Sequence, residues 1–234
     1  MRREHDCRLT PDRALQTLDD AHAFLEDRGL LTLTPDCALP SLFGACHEEP
    51  YSDAPGFGSW PKTKYWWGGR LDALATCLHR GKKLYLAARV AASIDPLCRA
   101  ELARAEAGEY GKDAARVVAH LAAAGPSLVE EVREEAGLDK RTRQRLEKVG
   151  AVVSRGVVLD EPHRHTSELR RWDQAVPAAN AAGEPLRELF VAGVRAAVVA
   201  PEKEALRWFT WPVPKDALED ERLVRPEPGW VAYA

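Results

Sequence analysis

Residues 113–159, DAARVVAHLAAAGPSLVEEVREEAGLDKRTRQRLEKVGAVVSRGVVL, decide the fold. Asp113 can cap a helix whose apolar stripe is Val117, Val118 and Leu121, and Gly125-Pro126 ends it. Ser127-Leu128-Val129-Glu130 has the spacing of a capping box, the Ser127 hydroxyl accepting from the Glu130 backbone and the Glu130 carboxylate reaching back. That box predicts a second helix with Leu128, Val129 and Val132 facing inward. Ala136-Gly137-Leu138 is a short turn, after which Asp139 caps a third helix anchored by Leu146 and Val149. Val152-Val153, Ser154-Arg155-Gly156 and Val157-Val158-Leu159 read as strand, tight turn and strand, with Arg155 at the tip. Three helices and a two-stranded wing make a winged helix-turn-helix, a shape that docks on DNA.

The third helix carries the chemistry. Its outward positions include Lys140, Arg141, Arg143, Gln144, Arg145 and Lys148. Phosphate oxygens need cations at a fixed spacing, and base edges need forked donors such as Arg or Gln. From Asp139 to Arg171 there are nine Lys or Arg (140, 141, 143, 145, 148, 155, 164, 170, 171) against five Asp or Glu (139, 147, 160, 161, 168), a local net of +4. His163, Arg164 and His165 extend the stretch. The whole chain has a net charge of −3 and a pI of about 6.2, so a local basic face must overcome the global sign. Double-stranded DNA is the expected partner, met by the six helix positions above together with Arg155 and Arg164. The competing reading is a solvated helix face, or a winged helix that meets protein.

At 234 residues and 45% hydrophobic, the chain is long enough for one large domain or several small ones. No apolar run approaches the roughly 20 residues that a membrane span needs, and residues 1–6 lack the apolar segment of a signal peptide. The expectation is a cytoplasmic protein with no membrane partner. Five cysteines (Cys7, Cys37, Cys46, Cys77, Cys98) form no C-x-x-C pair and read as reduced. Cys37, Cys46 and His47 come nearest to a metal cluster, but they lack paired spacing and a fourth ligand, so no metal or cofactor is expected.

Upstream, Thr10-Pro11 can open a helix with Ala14, Leu18, Ala21 and Leu25 on one face, stopped by Gly29. Residues 30–34 read as a strand, and Ser41 can cap a brief helix through Phe43 and Ala45. From His47 to Gly69 periodicity vanishes while Pro and Gly alternate with Tyr51, Phe57, Trp60, Tyr65, Trp66 and Trp67. One reading is a stacking platform for unpaired bases, with Trp60, Trp66 or Trp67 beside Lys62, Lys64 and Arg70. The other, favoured because aromatics are normally used for the area they bury, is an irregular loop anchored on the core. A short helix is predicted over 71–78, a strand over 83–87, and a helix capped by Asp95-Pro96 that runs to Ala107.

Downstream, residues 177–183 are small and read as a linker. Leu186, Leu189, Phe190, Gly193, Val194, Ala197 and Val198 then trace an amphipathic helix. Residues 201–209 and 215–221 read as two more helices, and 223–224 and 230–233 as a second wing. Here the third helix carries Asp216, Glu219, Asp220 and Glu221, which phosphate would repel. This module reads as structural, packing through Trp208, Trp211 and Trp230 and open to a protein partner. The expected class is α+β, mostly helical, with tandem winged helix-turn-helix modules: an aromatic-rich N-terminal region (1–112), the basic winged helix (113–176), and a linker with a degenerate second one (177–234).

Leu39-Pro40-Ser41-Leu42, Trp60, Trp66-Trp67, His79-Arg80-Gly81-Lys82-Lys83-Leu84, the winged helix after Asp113, Leu206-Arg207-Trp208 and Gly229-Trp230 form a pattern over most of the chain. In it the chain resembles the AlkZ-like, or YcaQ-like, family of bacterial winged-helix DNA glycosylases, and more closely the short AlkZ-related proteins. The resemblance implies tandem winged helices around DNA and a place in alkylation or crosslink repair. Full-length members excise bulky alkylated or crosslinked purines with a Gln-x-Gln or Gln-x-Asp element that positions a water. This chain is much shorter and lacks that element. The nearest stretch is Gln16-Thr17-Leu18-Asp19, where a helix would set Gln16 and Asp19 three apart on one face. The expectation is therefore DNA binding without assured catalysis; the alternatives are an active glycosylase and a regulatory, protein-binding winged-helix protein.

Overall fold

Thr17, not Thr10, starts the first long helix. In the computed structural model, which describes residues 2–160, 163–179 and 183–234, a short α1 (Arg2–Asp6) and a 3-10 turn (Pro11–Arg13) precede α2 (Leu18–Arg28). Thr17 Oγ1 accepts the Asp20 backbone N–H at 3.0 Å and the Asp20 carboxylate accepts that of Thr17 at 2.9 Å, a reciprocal cap. Gly29, at φ +88°, turns the chain into β1 (Leu30–Thr32). A 3-10 turn (Gly44–Cys46), with the Gly44 N–H on Ser41 Oγ, and α3 (Trp67–Arg70) follow. The helix expected over 71–78 is instead β2 (Leu74–His79), paired antiparallel with β3 (Lys82–Leu86). Arg80 and Gly81 between them both have positive φ, the geometry of a tight hairpin turn, and strand pairing overrides the weak helical pattern. The sheet order is β1-β3-β2.

Next comes α4 (Ala88–Glu106), eight residues longer at its N-terminus than an Asp95 cap allows. Asp95 lies inside it, only 2% exposed, because its carboxylate has partners from elsewhere in the chain: the Trp172 indole and the Ala179 backbone N–H. Then follow α5 (Lys112–Ala124), β4 (Ser127–Leu128), α6 (Val129–Ala136), α7 (Lys140–Lys148), β5 (Val152–Asp160), β6 (His163–Arg171) and α8 (Trp172–Ala175). Asp113 does not cap α5; it sits in the first turn, paired with Arg116. Of the box expected at Ser127–Glu130 only the carboxylate half forms, one residue further on. Glu131 takes the Leu128 N–H at 2.8 Å, while Ser127 belongs to β4 and donates to the Gly125 carbonyl. The hairpin does not turn at 154–156 either. β5 runs through Arg155 and Gly156 and pairs with β6 from Val152↔Arg171 to Asp160↔His163, so Arg155 is mid-strand. The sheet order is β4-β6-β5.

The third stretch is α9 (Pro185–Ala197), β7 (Val199–Pro201), α10 (Glu202–Ala205), a 3-10 turn (Lys215–Glu219), β8 (Leu223–Val224) and β9 (Trp230–Tyr233), with sheet order β7-β9-β8. The helices expected over 201–209 and 215–221 are thus shorter than predicted. Of the linker, residues 180–182 lie outside the described residues. Among the described residues the chain is α+β and about 45% helical. The order helix, strand, two helical turns, strand, strand, with the first strand beside the last, occurs three times and includes α2 to β3. One core joins all three units: Leu78, Leu84 and Leu86, Ile94 and Cys98 of α4, Val153 and Trp172, and Phe190, Val194 and Trp208. Two smaller cores sit under α5–α7 and under α2 with the aromatic segment. Trp208 and Trp211 are buried as expected, but Trp230 is 40% exposed on β9, the central strand of its sheet.

Candidate nucleic-acid interface

Asp139 begins α7 as its cap, accepting the Thr142 N–H at 2.6 Å; that backbone hydrogen bond holds its carboxyl below the usual range. Leu146 and Glu147 face inward, 1% and 8% exposed. Arg143 is half-buried and donates Nε to Glu147 at 3.1 Å, so it leaves the DNA-facing set and neutralises the helix's own carboxylate. The remaining five positions, Lys140, Arg141, Gln144, Arg145 and Lys148, are all exposed and fall on one arc of the helix. Arg145 donates Nη1 to the Tyr110 carbonyl at 2.9 Å, which anchors one edge of its guanidinium and leaves its charge uncancelled. Lys140, Gln144 and Lys148 have no side-chain partner among the described residues, and Arg141 has only the nearby charge of the Asp139 carboxylate. At 1.5 Å rise per residue the stripe is roughly 12 Å long, the width of a B-DNA major groove. Beneath it α7 packs on β2 and β5.

The hairpin supplies weaker cations. Arg155 is exposed, with Nη2 3.9 Å from Glu168, which itself takes Arg170 Nε at 2.6 Å. Arg164 lies 3.5 Å from Glu130, whose two oxygens accept the Thr166 hydroxyl at 2.9 and 2.8 Å. That bond, aided by Arg164, keeps Glu130 below the usual carboxylate range. The side chain of His163 lies outside the described residues; His165 is exposed opposite Val158.

The aromatic segment does lie against this hairpin. Its backbone is ordered by Glu48, which accepts the Thr63 N–H and hydroxyl at 2.8 and 2.7 Å and pairs with Lys64 at 3.0 Å. Trp60 sits half-buried between Phe43 and Phe57, ring centres 5.6 and 4.9 Å away, and Trp67 is 5% exposed in the core. Trp67 offers no free ring face, which corrects that stacking candidate, whereas Trp60 lines a cavity of about 250 Å³ with Phe43 and Tyr65: much of the aromatic area is used here to hold the loop. Trp66 is 37% exposed, with the Arg70 guanidinium 4.1 Å from its ring centre. It forms one wall of a cleft of about 680 Å³, with Tyr65 and Arg70 on its side and Val157, Val158 and His165 on the hairpin side. The floor is the approach of Gly156 to Gly69, where a Cβ would already be 3.5 Å from the Gly69 Cα. The hairpin wall is hidden in the sequence because Gly156 reads as a turn residue; glycine inside a strand also marks a close backbone approach.

Gln16 and Asp19 do not form a pair. Gln16 precedes α2, its amide spent on the Ala14 carbonyl at 3.2 Å, and the carboxylate near its backbone is that of Asp20. Cys37, Cys46 and His47 separate as well: Cys37 meets His79 at 3.8 Å, Cys46 donates to the Leu42 carbonyl, and His47 bonds the Arg8 carbonyl. Burial pushes the Cys37 thiol up to about 11 and that of Cys46 up to about 12, so neither offers a thiolate at neutral pH. No helix is long and apolar enough to cross a membrane among the described residues. Comparison with protein-family models, curated proteins and solved structures gave no match.

Proposed function

We propose that the chain is a DNA-binding protein built from winged-helix units, whose central unit (α5 to β6) lays α7 on duplex DNA. One observation carries this: Lys140, Arg141, Gln144, Arg145 and Lys148 share one exposed face while Glu147 is turned inward and paired with Arg143. Four cations and a forked amide are then presented with no carboxylate among them, in a chain of net charge −3. The phosphate term supplies the affinity, and Gln144 with Arg141 can read base edges. Arg155 and Arg164 add contacts along the hairpin. The resemblance to AlkZ-related proteins supports a role in alkylation or crosslink repair, and the cleft beside Trp66 has room for a displaced base. Binding rather than bond cleavage is the reading, since Gln16 and Asp19 do not meet and the cleft lining holds no carboxylate or amide among the described residues.

Fluorescence anisotropy on a labelled duplex over a salt series tests the proposal. Replacing Arg141 and Arg145 by alanine removes two phosphate contacts, so the slope of log Kd against log salt should fall by about 1.8, at about 0.9 per contact. An unchanged affinity and slope would sink it.

A further inference from the structure

We infer that Arg80 and Arg207 are two further phosphate ligands, extending the α7 stripe past Lys148 into a surface to which all three repeated units contribute. This rests on the reading of α7 as the DNA-facing helix. The junction is Thr210. Its hydroxyl bonds both the Lys148 carbonyl at the end of α7 (2.8 Å) and the Leu78 carbonyl at the end of β2 (3.2 Å), and its backbone N–H also reaches Leu78 (2.9 Å). Beside this, the buried His79 donates Nδ1–H to the Trp208 carbonyl at 2.7 Å. These bonds bring three chain segments together, and the residue flanking each bonded position is a cation: Lys148 itself, Arg80 after His79, and Arg207 before Trp208. All three are exposed and none has a side-chain partner among the described residues.

The carboxylates of the neighbourhood are already occupied. Asp36 holds Lys82 at 2.8 Å, Glu204 accepts the Ala38 N–H at 2.6 Å and the Trp208 indole at 3.1 Å, and Glu147 is committed to Arg143. Glu204 keeps its charge, since both its donors are neutral, but Lys148, Arg80 and Arg207 outnumber it, so the net charge at the junction is positive and comes from all three units. Exposed cations contributed by separate chain segments match a polyanionic backbone, whose contacts position the protein on the duplex. A guanidinium can grip two phosphate oxygens at once.

The test is the double variant Arg80→Gln with Arg207→Gln, assayed on the same random-sequence duplex and salt series as Arg141→Ala with Arg145→Ala. Both replaced side chains are exposed, so the melting temperature should match the parent. The salt slope should fall by about 1.8, for two contacts at about 0.9 each, and Arg80→Lys with Arg207→Lys should restore it. A parental slope in the glutamine variant, alongside a flattened slope in the α7 variant, overturns the inference and leaves the α7 reading intact. A parental slope in both overturns the α7 reading, and this inference with it.

Discussion

Replacing Asp95 by asparagine should lower the melting temperature at pH 7 by about 6–12 °C, for a cost of about 3 kcal/mol at 2–4 °C per kcal/mol in a chain of this size. Oδ1 accepts Arg99 Nε at 2.9 Å and the Trp172 indole at 2.8 Å; Oδ2 accepts Arg99 Nε at 2.8 Å and the Ala179 N–H at 3.0 Å. Whichever way an amide turns, its NH2 faces a fixed donor and the charge assistance to Arg99 is gone. One buried donor is left unmade, at about 1–3 kcal/mol, and a bond to a charged group is weakened by a similar amount. Alanine should cost more, about 3–5 kcal/mol, the loss for one partner of a buried pair. Burial pushes the Asp95 carboxyl up, but Arg99, the Ala179 N–H and the Trp172 indole outweigh it, so its folded pKa is depressed. The stabilisation is thus complete above the unfolded carboxylate value near 4 and fades as pH falls through the folded one. Thermal unfolding followed by circular dichroism from pH 7 down to 2 reads both effects. An asparagine variant within 2 °C of the parent at pH 7, or a gap that fails to narrow in acid, would refute the reasoning.

Two more outcomes are expected. Glu147→Ala should release Arg143 into the α7 stripe, tightening duplex binding in anisotropy and steepening its salt slope by up to about 0.9, while lowering the melting temperature. Trp67→Ala should cost about 3–5 kcal/mol in urea unfolding because its ring is 5% exposed, whereas Trp66→Ala, with a ring 37% exposed, should cost well under half of that.

Local signals in the sequence were reliable where the physics is local. Asp139, Gly137 and the spacing of Val132, Leu146 and Val149 place α6 and α7 to within a residue or two, because a cap and a left-handed turn act within four residues. The basic face was legible for the same reason, since exposure on α7 follows from helical periodicity alone. Local signals at Thr10, Asp113 and Ser127 still misplace a helix start or cap, and long-range bonds account for the larger errors. Asp95 reads as a cap until Trp172 and Ala179 are seen on its carboxylate. Residues 71–78 read as a helix until β3 is paired beside them, although Arg80-Gly81 carried the hairpin signal. Exposed Trp66 and buried Trp67 are adjacent and of one type, so only the path of the loop separates them.

The threefold recurrence explains why one unit presents a free helix. In the first unit the place corresponding to α7 is taken by α3 and the aromatic segment, which lean on β5 and the Gly156 backbone. In the third it is the 3-10 turn Lys215–Glu219, whose Asp216 and Glu219 are paired with Arg187 and Arg225, with Asp220 beyond it paired with Arg222. Those ion pairs remove the repulsion that an acidic turn would exert on phosphate, but they also use up its neighbouring arginines. Only α7 has its carboxylate buried and its cations facing water. The outer units pack around it through a common core, and each carries an exposed arginine, Arg80 or Arg207, within three residues of the bonds at Thr210 where α7 ends.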